Sequence, residues 1–319
     1  MALFLTERDV EQLLTWPLAI AAVEEAHHEL ASGMASDLPR QRTRLPQTTL
    51  HILQGALPAL DAIGYKAYTS NRSGVRFLVH LYSASTGRLR AVIEGNRLGM
   101  MRTAAASAVA TRLLARPEAK TIGVFGAGWQ AAGHIEALAT VRPLARVKVF
   151  ARRRDQLTDF CARMSERMGF AVVAAESACE TVLDSDIVST VTTAATPIFD
   201  GDWLAPGTHL NAAGSNSLVR RELGEDVVRR CSLIVVDSVE TALREAGDLF
   251  PLLEKGRLQA RALHELGDLI CGRQQGRSDN QEITLFESQG MAIQDLAVAA
   301  RVDELARQRG LGREVSGSD

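Results

Sequence analysis

A glycine-rich turn between an apolar run and a helix start is the first feature of this sequence that could bind a ligand. Residues 126–131 read Gly-Ala-Gly-Trp-Gln-Ala, directly after the apolar run 121–125. In a GxGxxA pattern Gly126 allows a tight turn, Gly128 lets the backbone approach a pyrophosphate, and Ala131 allows close packing of helix on strand. The free N–H groups at a helix N-terminus favour phosphate. We therefore expect a dinucleotide to be held by Gly126, Ala127, Gly128, Trp129 and Gln130.

Basic residues follow the next predicted strand, where the choice between NAD and NADP is usually made. An NAD site places Asp or Glu at this position to hold the ribose 2′-hydroxyl. Here the chain reads Phe150-Ala-Arg152-Arg153-Arg154 and has no acid until Asp155. A guanidinium can grip a 2′-phosphate with two hydrogen bonds, whereas a carboxylate would repel it. Arg152 and Arg153 thus favour NADPH, with NADH as the alternative if the arginines only solvate a helix start.

Three basic residues in the first third of the chain have apolar or confined surroundings. Lys66 interrupts the apolar run 62–68, Arg42 lies between two prolines, and Arg102 directly precedes an alanine-rich segment. A buried cation needs an anionic partner, because burying an unpaired charge is costly. That partner is either a substrate carboxylate or an internal acid such as Glu94 or Glu24. The residues alone leave both interpretations open.

The elements that must position these residues change character at Pro117. Before it, residues 75–82 and 88–94 are predicted to form a hairpin, and the alanine-rich run 103–115 is predicted to form a buried helix. After it, predicted strands and helices alternate. The strands are 121–125, 146–150, 171–174, 187–192, 209–213 and 233–236, and the helices are 130–140 and 156–168. Such βαβ alternation indicates a parallel sheet covered by helices.

Composition and charge narrow the class of protein further. The chain has 319 residues, 46% of them hydrophobic, and a net charge of −2. No basic stripe is present, which argues against nucleic acid or a membrane surface as the main partner. The four cysteines and the histidines show no metal-ligand spacing, so we expect no metal. No membrane-length apolar run or secretion signal is present, and we expect a cytoplasmic protein.

Several longer motifs are similar to those of the ornithine cyclodeaminase/μ-crystallin family. They occur in order through nearly the whole chain. They lie at residues 95–108, 126–130, 191–193, 206–215, 236–238, 247–248, 265–267 and 284–297. The resemblance implies an α/β fold with a Rossmann-type doubly wound domain at 118–293. It also implies an α+β substrate-binding and dimerisation domain formed by residues 1–117 with 294–319.

The resemblance also implies particular roles for residues. The substrate α-carboxylate would be held by Arg42, Lys66 and Arg102, and Lys66 would also act near the reacting centre. The cofactor would be contacted in addition by Thr103, Val191, Thr192 and Ser288. Family members act on α-amino or α-imino acids by hydride transfer with a nicotinamide, and they form homodimers in which the first domain makes the subunit interface.

The sequence departs from the cyclodeaminases at one position. Those enzymes carry an acidic residue, their proposed base, where this chain has Asn216. An amide cannot accept a proton near neutral pH. Cyclodeamination needs proton transfer at several steps, whereas reduction of a preformed iminium mainly needs positioning. Asn216 therefore favours an NADPH-dependent reductase of cyclic ketimines such as 1-pyrroline-2-carboxylate or 1-piperideine-2-carboxylate. The alternatives are an ornithine or lysine cyclodeaminase with bound NAD, an amino-acid dehydrogenase, and a non-catalytic NADPH-binding protein.

Overall fold

The computed structural model describes residues 1–71 and 74–315. The chain forms two compact units, Met1–Ala106 with Gly290–Asp319, and Ser107–Gln289. The first boundary lies inside a helix that runs without a break from Asn96 to Leu114, whereas the sequence placed it at Pro117. No proline or glycine marks the boundary between the two units inside this helix. The boundary therefore follows from how the residues pack and not from a local sequence signal. The roles expected of the two units stay predictions.

The first unit contains the elements that precede residue 106 together with those at the end of the chain. Its strands are β1 (Ala2–Leu5), β2 (Ser36–Arg44), β3 (Thr49–Leu57), β4 (Ala62–Asn71), β5 (Gly74–Tyr82), β6 (Leu89–Glu94) and β15 (Arg313–Val315). Its helices are α1 (Glu7–Leu13), α2 (Trp16–Ala31), the first part of α3 (Asn96–Leu114), and α11 (Ala292–Arg309). The strands form one seven-stranded sheet in the order β15-β1-β6-β5-β4-β3-β2.

Helix α11 covers one face of this sheet. It packs on β3, β4 and α2, and most of its first fifteen residues are buried. The approach is close because Gly64 has no side chain. A Cβ there would lie 3.2 Å from Leu296 and would collide with the carbonyl group of His80. The end of the chain is therefore helical and packs in the same compact unit as the first hundred residues.

The second unit holds the remaining elements. Its strands are β7 (Thr121–Phe125), β8 (Arg146–Phe150), β9 (Ala171–Ala174), β10 (Ile187–Thr190), β11 (His209–Ala212), β12 (Leu233–Val236), β13 (Leu263–Glu265) and β14 (Thr284–Glu287). Its helices are α4 (Trp129–Val141), α5 (Arg154–Met168), α6 (Ala178–Val182), α7 (Glu225–Arg230), α8 (Val239–Glu245), α9 (Phe250–Glu254) and α10 (Leu266–Ile270). The eight strands are ordered β13-β12-β14-β11-β10-β7-β8-β9, and every neighbouring pair is parallel.

This strand order is that of a doubly wound sheet. From β7 the chain first moves outward to β8 and β9, and it then returns to β10 on the other side of β7. Loops that leave β7 and β10 therefore diverge at the carboxyl edge and open a crevice where ligands bind in such folds. The predicted Rossmann-type fold class is confirmed, and the glycine turn lies at this switch point.

Candidate active site

Lys66 lies in the middle of β4 with its side chain turned toward α11. The side chain is 3% exposed, and Nζ lies 2.6 Å from Oδ2 of Asp295. Burial, followed by the charge of Arg102, lowers the pKa of Lys66 to about 7, while Asp295 acts in the opposite direction. Near neutral pH this amine is therefore poised between its charged and neutral forms.

Arg102 reaches the same carboxylate from α3. Its Nε donates to Oδ1 of Asp295 at 3.0 Å, and its Nη1 donates to Oε1 of Gln294 at 2.8 Å. Gly290 allows this approach, because any Cβ at that residue would collide with the guanidinium. Lys66 and Arg102 thus share Asp295, a fully buried acid. We call these three residues the cation cluster.

The acid shared by Lys66 and Arg102 is Asp295, which the sequence analysis did not name. The carboxylate of Glu94 accepts the N–H of Glu7 instead. The sequence did carry a signal for it. Asp295 is the one acidic residue in the apolar run from Met291 to Ala300, and an acid buried among apolar neighbours needs a partner.

Arg42 lies on β2, on the sheet face that also carries Lys66. Arg42 pairs with His51 across β2 and β3, and His51 pairs with Tyr68 across β3 and β4, two residues from Lys66. Burial, then the charges of Arg42 and Arg40, lowers the pKa of His51 to about 4. The His51 and Tyr68 rings stack with centroids 4.3 Å apart. This face therefore combines several cations with an aromatic surface.

The glycine turn in the second unit has the geometry that a pyrophosphate requires. Gly126 has a φ of +114°, and a Cβ there would lie 2.9 Å from the carbonyl oxygen of Val191. At Gly128 a Cβ would meet nothing within 4 Å, so the backbone borders open space. Gly128 is also the N-cap of α4 and offers no side-chain hydrogen bond to the helix. The turn therefore fits the phosphates of a dinucleotide.

Arg152 and Arg153 follow β8, the strand beside the turn. The two strands are joined at this end, because the N–H of Gly126 donates to the carbonyl oxygen of Phe150 at 2.9 Å. Both arginine side chains are exposed, and neither forms an ion pair within the described part of the chain. Arg154 differs, since its guanidinium donates to the carbonyl groups of Ala175 and Glu176.

The loops after β10 and β11 carry other predicted site residues, and they are tied together by an acid that the sequence did not reveal. One oxygen of Glu222 accepts the N–H of Thr192 at 2.6 Å, and the other accepts the N–H of Gly214 at 3.0 Å. Val191 begins the first loop and Asn216 lies in the second. Glu222 stands in a polar stretch without periodicity, so no sequence signal marked it.

Glu222 belongs to a set of buried acids at the same edge of the sheet. Burial raises the pKa of Glu222 to about 7 and that of Asp248 to about 6. Burial, followed by the charges of Asp248 and Glu222, raises the pKa of Glu287 well above its usual range. Asp248 accepts the backbone N–H groups of Glu222 and Leu223. The set holds the loop backbones in place.

Two of the predicted cofactor-binding residues have internal hydrogen bonds. The hydroxyl of Ser288, directly after β14, donates to the carboxylate of Asp237 at 2.8 Å. The hydroxyl of Thr103 donates to the carbonyl oxygen of Gly99 at 2.7 Å within α3. Both residues are buried, and their contact with a cofactor stays a prediction.

Metal-binding and membrane-spanning features are absent from the described ranges. Among residues 1–71 and 74–315, no group of three or more His, Cys, Asp or Glu side chains is arranged to hold a metal ion. No helix in the same ranges has the length and apolar character to cross a bilayer.

A doubly wound parallel sheet with a glycine turn at its switch point defines a Rossmann-type dinucleotide-binding protein. Residues 1–310 match the ornithine cyclodeaminase/mu-crystallin family, and the chain belongs to that family. The resemblance inferred from the sequence motifs is confirmed.

Several relatives and solved structures are similar to this chain. A Delta(1)-pyrroline-2-carboxylate reductase of Bacillus cereus is 36% identical over 286 residues, covering 86% of this chain and 88% of the relative. The structure of Thermococcus litoralis Delta(1)-pyrroline-2-carboxylate reductase in complex with NADH and L-proline is 33% identical, with a TM-score of 0.94. It covers 98% of this chain and 100% of that one. An archaeal alanine dehydrogenase dimer with bound NAD is 31% identical, with a TM-score of 0.93 and 99% coverage of both chains.

Proposed function

We propose that this protein is an NADPH-dependent reductase of α-imino acids, with cyclic ketimines such as 1-pyrroline-2-carboxylate as substrates and L-amino acids as products. The observation that carries the proposal is the cation cluster. Two buried cations share one carboxylate, so the cluster has a net positive charge whenever Lys66 is protonated, and a substrate carboxylate would neutralise it. The names of relatives that are 33% and 36% identical support the same reaction.

The residues of the chain would divide the chemistry among them. Arg42, Lys66 and Arg102 would bind the α-carboxylate and so fix the orientation of the adjacent C=N bond, which lowers the barrier through positioning. Protonated Lys66 can release a proton from Nζ near neutral pH, which suits donation to the imine nitrogen. A bound nicotinamide would supply the hydride for the imine carbon. Asn216 would contribute a hydrogen bond but no proton transfer.

Most of the residues proposed to hold the cofactor lie in the second unit. Gly126, Ala127, Gly128, Trp129 and Gln130 would bind the pyrophosphate at the start of α4, while Arg152 and Arg153 would bind the 2′-phosphate. The two arginines support NADPH because their side chains are exposed beside the turn and form no ion pair within residues 1–71 and 74–315. The similar solved structures hold NADH and NAD, so NADH is the alternative. Val191, Thr192, Thr103 and Ser288 are proposed to complete the binding site.

The protein is further proposed to act as a homodimer that uses the sheet face opposite α11. Leu38, Leu50, Ile63 and Leu78 are exposed on that face. A large exposed apolar patch marks an interaction site, and the archaeal alanine dehydrogenase of similar structure is a dimer.

One assay tests the proposed function. NADPH oxidation should be measured with 1-pyrroline-2-carboxylate, with 1-piperideine-2-carboxylate, and with pyruvate plus ammonia. We expect turnover with at least one cyclic imine and one equivalent of NADPH consumed for each amino acid formed. Release of ammonia from ornithine without net cofactor use, and no imine turnover, would instead identify a cyclodeaminase.

A second candidate function is an amino-acid dehydrogenase. It is favoured by the similarity to the alanine dehydrogenase, and it would use the same cations to bind the carboxylate of alanine or pyruvate. Turnover of pyruvate only when ammonia is present, with no turnover of preformed cyclic imines, would support this candidate over the reductase.

A further inference from the structure

Asp295 occupies the centre of the cation cluster and touches both cations at once. Oδ2 lies 2.6 Å from Nζ of Lys66, and Oδ1 lies 3.0 Å from Nε of Arg102. The Asp295 side chain is fully buried, and the two cations are 3% and 9% exposed. Each oxygen thus serves one cation, which fixes the separation between the two.

The residue before Asp295 extends the same arrangement. Oε1 of Gln294 accepts Nη1 of Arg102 at 2.8 Å, and its Nε2 lies 3.0 Å from Nε2 of His27. Helix α11 therefore holds Arg102 through two successive side chains, while α2 supports Gln294 from behind. A guanidinium with its Nε and one Nη engaged in this way has little freedom to rotate.

The negative charge of Asp295 also affects the protonation of Lys66. Lys66 is surrounded by Asp295 from α11, Arg102 from α3 and Arg40 from β2, with the Phe77 ring of β5 5.7 Å from Nζ. The two arginines and burial disfavour the ammonium form, and Asp295 alone among these groups favours it. Without the carboxylate, Lys66 would lose its proton at a lower pH.

We propose that Asp295 is the positioning residue of the cation cluster, which sets Lys66 and Arg102 side by side for one substrate carboxylate and favours the charged form of Lys66. The proposal rests on the proposed function only for the identity of the ligand. The geometry and the charge state of Lys66 can be tested without any ligand.

A control for this role exists on the same helix. Asp303 is also fully buried and pairs with two arginines, Arg90 and Arg307. Neither of those arginines belongs to the predicted site. Asp303→Asn therefore removes a comparable buried charge from α11 and reports the cost of losing any such ion pair, whereas Asp295→Asn removes the proposed positioning group.

The first experiment observes Lys66 directly. The chain has four lysines, at positions 66, 120, 148 and 255, so the NMR spectrum of the protein with isotope-labelled lysine is simple enough to assign with Lys66→Met. We expect the Lys66 signal to titrate near pH 7 in the wild type and in Asp303→Asn, and at lower pH in Asp295→Asn. An unchanged midpoint in Asp295→Asn, or an equal shift in Asp303→Asn, would overturn the proposal.

The second experiment measures the consequence for turnover. In Asp295→Asn we expect the KM for the cyclic imine to rise about tenfold to a hundredfold, because a small misplacement of binding groups has effects of this size. The alkaline limb of kcat/KM should also move to lower pH, since that profile reports the free enzyme. Asp295→Glu should keep the Lys66 midpoint close to wild type but raise the KM, since its charge is retained and its position is not.

The two experiments distinguish failure of the proposed function from failure of the proposed role of Asp295. If the wild type turns over none of the imines, the proposed function is wrong, while the Lys66 titration still decides the role of Asp295. If the imine is reduced by Asp295→Asn with the KM and the pH profile of the wild type, Asp295 is only a structural acid. The Asp295→Glu variant keeps a test available if the asparagine variant does not fold.

Discussion

Arg152 and Arg153 extend into solvent beyond the strand that neighbours the glycine turn, whereas Arg154 is occupied by the carbonyl groups of Ala175 and Glu176. The three consecutive arginines therefore differ in their contacts. Arg154 fixes the start of α5, whereas Arg152 and Arg153 form no ion pair with any of residues 1–71 and 74–315. A dianionic 2′-phosphate is the group that would use them.

Replacing Arg152 with aspartate tests this difference. We expect the KM for NADPH to rise about tenfold to a hundredfold, because hydrogen bonds from a charged donor are worth about 1.5–3 kcal/mol. The KM for NADH should change little or improve. Arg163, exposed on α5, supplies the control, since Arg163→Asp changes the net charge equally. Parallel losses with both cofactors would contradict the proposed role.

Glu222 stabilises the second unit in a manner that depends on its protonation. The acid is buried, and its pKa rises from the ordinary 4.5 to about 7. The folded protein therefore binds a proton that the unfolded chain has already released in this range. The contribution of Glu222 is complete below about pH 4.5 and is lost as pH rises through about 7.

The free energy of unfolding should accordingly decline between about pH 4 and pH 8, with Glu222 accounting for roughly 3 kcal/mol of the decline. Urea denaturation across that range measures it. In Glu222→Gln we expect a flatter profile, and in Glu254→Gln, which alters an exposed acid, the wild-type profile. A Glu222→Gln profile as steep as that of the wild type would show that another group titrates.

Among the elements, α3 depends most clearly on a side chain far away in sequence. The last carbonyl groups of a helix have no partners within the helix. For α3, Arg142, which follows α4, donates hydrogen bonds to these carbonyl groups. Its Nη2 donates to the carbonyl oxygens of Thr111, Arg112 and Ala115, and its Nε donates to that of Arg116. A positive charge at a helix C-terminus is also favourable because of the helix dipole.

Arg142→Met should therefore lower the free energy of unfolding by about 2–4 kcal/mol, since several charge-assisted hydrogen bonds are lost and buried carbonyl groups are left without donors. Chemical denaturation measures the change. Arg146→Met, in which an exposed arginine on β8 is changed, should cost less than about 0.5 kcal/mol. A similar loss in both variants would mean that Arg142 acts only through its charge.

The predicted elements of the second unit are close to those observed because apolar strands alternate there with amphipathic helices. The predicted strands at 121–125, 146–150, 171–174 and 233–236 have the observed bounds. The elements of the first unit were harder to predict from the sequence. Strand β2 carries several exposed polar residues, and β3 and β4 mix polar with apolar residues on half-buried positions. Helix α3 begins at Asn96 after a stretch without apolar periodicity. Pairing in the sheet, rather than local pattern, fixes those elements.

Prediction of the site residues from the sequence has the same limit. Lys66 and Arg102 could be selected from the sequence because cations in apolar surroundings are unusual. The apolar neighbours of Asp295 mark it as an acid that needs a partner, but they do not show which partner. Asp295 is 193 residues from Arg102 along the chain, and spacing says nothing about contacts of that range. Glu222 was missed for a related reason, since its partners are backbone N–H groups, which no residue type reveals.

At the scale of the whole molecule, the seven-stranded sheet has two different faces. One face carries Lys66 and is covered by α11. On the other, residues of neighbouring strands that pair directly share a side, so Ile63 of β4 lies on the same side as its partners Ala56 and Tyr82. Leu78, paired with Ala67, also lies there. Ile63 is 44% exposed and Leu78 36% exposed.

A second copy of the chain is the proposed occupant of this face, and charges placed on it should separate the copies. We expect wild-type protein to have about twice the 34.5 kDa mass of the chain by light scattering during size-exclusion chromatography. The double variant Ile63→Asp with Leu78→Asp should have the mass of one chain, because burying two carboxylates against apolar side chains costs several kcal/mol. Val219, 81% exposed in the second unit, gives the control. Val219→Asp should remain a dimer, and a dimeric double variant would place the interface on another surface.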